Sequence, residues 1–155
     1  MEKMIKKIGI NALEAAKKKI DSRLKNKVLI KFSKLIKKNQ KKIIIQNIKD
    51  IRFAKNKKLK ENLIKRLELS PSKINEMIKS INKISKLKDP VNYTLDKWKR
   101  SNGLLIKKVT VPIGIIGVIY ESRPNVTADV SSLCFKSGNC VILRGGSEAY
   151  YSNKI

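Results

Sequence analysis

Two short apolar runs constrain this chain more than anything else in it. They are Gly114-Ile-Ile-Gly-Val-Ile-Tyr120 and Cys140-Val-Ile-Leu143. Neither alternates with polar residues, as a strand with one wet face would. Continuous runs of this length, rich in β-branched residues, predict buried parallel strands. Between them, residues 125–136 set Val126, Val130, Leu133 and Cys134 on one side of a helix, and Ser137-Gly138-Asn139 stops it. Parallel strands need such a crossover, which is right-handed in nearly every sheet. After Leu143, Gly145-Gly146-Ser147 turns the chain toward a further helix. The unit is β-α-β. Two parallel strands cannot cover both of their own faces, so the sheet reads as incomplete.

The preceding residues have a helical period. Ile5, Ile8, Ala12, Leu13, Ala16 and Ile20 fall on one face of residues 4–20. Ser22 is a candidate N-cap for a helix reaching about Asn39, with Leu24, Val28, Leu29, Phe32, Leu35 and Ile36 together. Further helices are expected over residues 41–55 and around Leu63 and Leu67. Ser70-Pro71 then gives a cap followed by proline at the first helical position. That helix carries Ile74, Met77, Ile78, Ile81, Ile84 and Leu87, and Asp89-Pro90 stops it. Val91–Lys99 alternates loosely, and Asn102-Gly103 predicts a two-residue hairpin turn into a strand over Leu104–Val111. The expected organisation is α/β. Residues 1–90 form an N-terminal helical segment, 91–111 a hairpin, and 112–155 the first β-α-β of a sheet.

The formal net charge is +25, and all but six of the 37 basic residues lie in residues 1–100. A basic helical nucleic-acid-binding protein is therefore the alternative reading. The residue types weigh against it. Only six of the basic residues are arginine, the usual reader of phosphates and bases, and aromatics make up only 5% of the chain. The lysine runs read as solvated helix faces, and no specific nucleic-acid partner is expected. Two cysteines six residues apart and no histidine make no zinc site, so no metal is expected. Cys134 on a helix's apolar side and Cys140 at a strand start, with no histidine as base, read as inert core thiols. A reduced, cytoplasmic setting follows. No apolar run approaches the roughly 20 residues of a membrane span. The N-terminus lacks the continuous apolar core of a signal peptide.

Ligands of open α/β sheets gather outside the carboxyl ends of the strands. Those ends are Tyr120–Asn125 and Arg144–Glu148, each followed by a helix N-terminus that favours anions. Arg123 and Arg144 fall there, which suits a phosphate- or carboxylate-bearing ligand. The competing reading pairs each arginine with a neighbour such as Glu121 or Glu148. Gly114 and Gly117 precede the strand, unlike a dinucleotide fingerprint, and read as a tight turn with close backbone packing.

The stretches VPIGIIGVIYESRPNVT (residues 111–127) and LCFKSGNCVILRGGSEA (133–149) closely resemble the gamma-glutamyl phosphate reductase family. This family, also called glutamate-5-semialdehyde dehydrogenase, lies in the aldehyde dehydrogenase superfamily. Weaker matches are Arg23–Leu29, Arg66-Leu-Glu-Leu-Ser-Pro71 and Leu87-Lys-Asp-Pro-Val91. The resemblance implies the beginning of a Rossmann-type cofactor domain. It implies NADPH-dependent reduction of L-glutamyl 5-phosphate to L-glutamate 5-semialdehyde in proline biosynthesis. Ile119, Tyr120, Glu121, Arg144, Gly145, Gly146, Ser147 and Glu148 would then lie along the cofactor, and either Arg123 or Asn125 near the acyl phosphate as oxyanion donor. The family's nucleophilic cysteine matches neither Cys134 nor Cys140. These 155 residues therefore hold no catalytic residue, and the chain by itself is expected to be inactive, as a truncated piece of a longer enzyme. The same resemblance implies homo-oligomerisation through the hairpin in a full-length chain and a functional link to glutamate 5-kinase, with no membrane partner.

Overall fold

Helices carry the core of this molecule. In the computed structural model, which describes residues 2–155, the helical patterns become α1 (Glu2–Ala16), α2 (Ser22–Lys38), α3 (Gln40–Asn56), α4 (Glu61–Leu67) and α5 (Pro71–Lys86). The α5 start is as expected: Ser70 Oγ accepts from the Lys73 N–H at 3.2 Å, with Pro71 in the first turn. The α2 start is one residue earlier than expected. Asp21, not Ser22, caps it by accepting from the Leu24 N–H at 2.9 Å. A carboxylate is also the better partner for the positive end of a helix. Leu29 and Ile36 of α2 bury against Ile74, Met77, Ile81 and Ile84 of α5. Ile43 of α3 and Leu69 close the cluster.

Next come β1 (Thr94–Lys99) and β2 (Leu105–Val109), an antiparallel hairpin pairing Lys99 with Leu105. Its turn is not the two-residue form. The Gly103 N–H donates to Arg100 O, and the Arg100 N–H to Leu104 O, both at 2.9 Å. Residues 101–103 thus form a three-residue loop, with Gly103 alone among them at positive φ (+87°). A two-residue type I′ turn would need positive φ at Asn102 too.

The strands β3 (Ile115–Tyr120) and β4 (Cys140–Gly145) pair in parallel, with Ile115 opposite Cys140 and Tyr120 opposite Gly145. Helix α6 (Pro124–Lys136) is the crossover. It ends in a Schellman motif: the Asn139 N–H donates to Cys134 O at 2.8 Å and the Gly138 N–H to Phe135 O at 3.1 Å. Gly138 takes φ +72° there, as the motif requires. Asn139 Oδ1 then accepts from the Gly114 N–H at 2.9 Å, and the Cys140 N–H donates to Gly114 O. The helix stop therefore also sets the register of the two strands. A 3₁₀ turn (Ser147–Ala149) and a short α7 (Tyr150–Asn153) follow.

Three expectations change. First, β3 is not buried on both sides. Ile116, Val118 and Tyr120 are half-buried, whereas Ile115 and Ile119 are exposed, Ile119 by 79%. A two-stranded sheet with one covered side leaves the other open. Second, α6 packs through small residues. Ala128, Ser132 and Cys134 are buried, while Leu133 is exposed and Val126 and Val130 are half-buried. Small side chains allow α6 to lie close on the α2–α5 pair. Third, not every lysine is solvated. Lys25 and Lys136 are each 3% exposed. Lys25 Nζ donates to both Asp89 oxygens, at 3.0 and 3.2 Å, and Lys136 Nζ to Asn26 Oδ1 and Ser85 O. Burial holds the Lys136 ammonium below its ordinary range.

Buried polar side chains tie distant segments together. Asn47 is satisfied by Leu67 O, the Leu69 N–H and Ser152 Oγ. Asp50, 1% exposed, accepts from the Tyr151 N–H at 2.9 Å, the Ser152 N–H at 2.7 Å and the Ser152 hydroxyl. A helix over a hundred residues away in sequence thus caps α7, as a local N-cap side chain would. Asp50→Ala leaves three partly buried donors without their acceptor, and the expected cost is about 2 kcal/mol. Urea unfolding followed by circular dichroism measures it; a loss under about 0.5 kcal/mol rejects the capping role.

Candidate functional site at the carboxyl ends of the parallel strands

The β3–β4 register puts Tyr120 beside Gly145, so both strands end at one rim. An open groove of about 730 Å³ lies there. It is lined by Ile119, Tyr120, Glu121, Arg144, Gly145, Gly146, Ser147 and Glu148. The fold thus gathers all eight residues expected along a cofactor. Arg123 and Asn125 do not line the groove. Arg123 is the exposed N-cap residue of α6. Asn125 is half-buried and directs its Nδ2 at Asp129 Oδ2, 3.4 Å away along its own helix.

Among the described residues, neither Arg123 nor Arg144 makes an ion pair; the two pairs present are Lys25–Asp89 and Lys65–Glu61. The reading that Glu121 or Glu148 neutralises each arginine is therefore overturned. Glu148 is engaged elsewhere. Its Oε1 accepts from the Ser122 N–H at 2.6 Å and the Ser122 hydroxyl at 3.0 Å. Partial burial pushes the Glu148 carboxyl up. Its own N–H and the two Ser122 donors more than offset this and hold it below the usual carboxylate value.

Ser122 is the residue that the sequence reading missed. It is 2% exposed and takes φ +44°. A serine between a strand end and a proline that starts a helix was the available signal, because the chain must reverse there within two residues. Gly146 allows the contact: a Cβ at that position would run into the Glu148 carboxylate. A Cβ on Gly145 would meet Asn153 Nδ2 at 2.6 Å and the Tyr120 hydroxyl at 3.1 Å. Behind the groove, the Tyr120 hydroxyl donates to Thr127 Oγ1 at 2.6 Å, and Thr127 donates to Asn153 Oδ1 at 2.7 Å. This chain fastens the end of β3 to α6 and α7.

Neither cysteine lines this groove. Cys134 is buried, and burial, with Cys140 nearby, pushes its thiol up. A second cavity, of about 1030 Å³, lies at the amino ends of the strands. It is bounded by residues 15–20, Val28, Phe32, Gly114, Asn139 and Cys140. Among the described residues, no group of three or more His, Cys, Asp or Glu could hold a metal ion, and no helix is long and apolar enough to cross a membrane.

A parallel β-α-β unit docked on helices, with its groove at the strand carboxyl ends, is an α/β fold of the nucleotide-binding type. No protein-family model matches the chain. Its relatives are specific, however. It is 47% identical over 154 residues to the gamma-glutamyl phosphate reductase of Nitratiruptor sp., covering 99% of this chain and 37% of that protein. It is 45% identical to that of Clostridium tetani over 94% of this chain and 35% of that one. The crystal structure of the Thermotoga maritima gamma-glutamyl phosphate reductase superposes with a TM-score of 0.89 at 44% identity, over 92% of this chain and 35% of that one. The Saccharomyces cerevisiae enzyme gives 0.90 at 35% identity, over 94% and 38%. The chain is thus similar, over nearly its whole length, to part of gamma-glutamyl phosphate reductase, and it spans little more than a third of the relatives it matches. Nothing among these relatives supports the nucleic-acid-binding alternative.

The Glu148–Ser122 contact makes stability depend on pH. A carboxyl whose folded pKa lies below its unfolded value stabilises above the unfolded value, and that contribution fades as pH falls through the folded one. The stability difference between the wild type and Glu148→Gln should therefore be full at pH 7 and shrink below about pH 4.5. Thermal melts from pH 3 to 7 measure it; a pH-independent difference refutes the linkage.

Proposed function

We propose that this chain contributes the cofactor side of an NADPH-dependent reductase that converts L-glutamyl 5-phosphate to L-glutamate 5-semialdehyde in proline biosynthesis. The observation that carries this is the groove at the strand ends. It brings Ile119, Tyr120, Glu121 and the Arg144–Glu148 turn together with an unpaired arginine. The residues fit a nicotinamide dinucleotide: Arg144 is exposed and free of carboxylates, which suits a phosphate, and Gly145-Gly146 brings bare backbone to the rim. NADP(H), when bound, supplies the hydride. Of the two candidates for the acyl phosphate, Arg123 is the more favoured. It is exposed and makes no ion pair among the described residues, whereas the Asn125 amide points along its own helix.

The same reading makes the chain silent alone. Its two cysteines are a buried thiol and one at a strand start, with no histidine as base. The division at 91–111 belongs to this proposal. So does homo-oligomerisation through the hairpin, whose Leu95, Trp98, Leu104 and Leu105 are exposed. A functional link to glutamate 5-kinase and a cytoplasmic site also belong to it.

Fluorescence titration of NADPH tests the reading. Arg144→Ala should weaken binding about tenfold, the effect of losing a charge-assisted contact. Equal affinity in that variant counts against the assigned groove. The unmodified chain should give no phosphate-dependent NADP reduction with glutamate semialdehyde, and measurable turnover rejects its predicted silence.

A further inference from the structure

Three non-glycine residues take positive φ among the described residues: Lys58, Asn92 and Ser122. Lys58 and Asn92 sit in exposed turns, and asparagine tolerates this region. Ser122 is different: it is buried, and it lies between the end of β3 and the N-cap of α6. A left-handed serine is strained and persists only where its surroundings enforce it. Both hydrogen bonds that Ser122 donates go to one side chain. Glu148, past the end of β4, folds back over Gly146 and takes both the Ser122 N–H and the Ser122 hydroxyl on Oε1. These donors are closed to any ligand, because Ser122 is 2% exposed. The carboxylate is therefore spent on the chain's own backbone, and it ties the β4 side of the groove to the β3 side.

We propose that Glu148 is a positioning residue rather than a direct cofactor ligand: it holds Ser122 in the left-handed conformation and so fixes the end of β3, whose Tyr120 and Glu121 line the groove. This rests on the reading of the groove as an NADPH site. Gly146 is part of the device, since any side chain there displaces the carboxylate. Glycine adopts positive φ without penalty, so a glycine at position 122 should make the clamp unnecessary.

A double-mutant cycle decides it, with NADPH as the probe. Glu148→Ala should weaken binding about tenfold in the Ser122 chain and less than about twofold in the Ser122→Gly chain. Glu148→Gln keeps an acceptor oxygen and should recover part of the loss. An equal loss in both backgrounds makes Glu148 a direct ligand and overturns the proposal. Amide exchange of the unliganded chain is read beside it. The Ser122 amide should exchange at least about tenfold faster in Glu148→Ala, and unchanged exchange overturns the proposal as well. A wild-type chain that binds no NADPH removes the functional reading, and exchange alone then decides the clamp.

Discussion

The burial of α2 against α5 is the packing on which the rest of this structure hangs. Leu29, Ile36, Ile74, Met77, Ile81 and Ile84 are six of the nine buried residues of the main apolar cluster, and both parallel strands are only half-covered. A two-stranded sheet cannot stand by itself in water. Here it is held because α6 lays Ala128 and Phe135 on the helical pair, and α6 is joined to both strands. The geometry of the groove is thus inherited from helix packing, one step removed.

A second set of contacts fixes what the core leaves loose. The net charge is +25, and most lysines spread into solvent, where like charges repel weakly. Two do not. Lys25 and Lys136 are buried near a single carboxylate, Asp89, and the backbone N–H of Val91 with Lys25 holds Asp89 below its usual range against the opposing effect of burial. These groups join α2, the loop after α5 and the end of α6. Buried charges paired this way add geometric definition more than stability. Asp50 and Asn47 play the same part for α7, and so for the asparagine behind Gly145.

The rim combines two kinds of electrostatics. Arg144 in the groove and Arg123 beside it make no ion pair among the described residues, while the Glu148 carboxylate is satisfied by Ser122. Had Glu148 paired with Arg144, that guanidinium would be engaged internally. Directing that carboxylate to Ser122 leaves the Arg144 guanidinium without an ion-pair partner among the described residues.

The amino-acid sequence by itself determined the periodic elements: the helices of residues 2–86, the parallel pair with its crossover, and the glycine stop at 137–139. It also singled out the residues of the groove, since strand ends are where apolar runs turn polar. These are short-range signals, set by side-chain spacing and a few capping residues. Tertiary structure decided the rest. It chose Asp21 over Ser22 as a cap, bent the hairpin through three residues, opened one face of β3 and buried Lys25 and Lys136. Above all it joined Glu148 to Ser122, 26 residues apart. No local pattern encodes such a contact, because it exists only once the register of β3 and β4 has brought two chain ends to one rim.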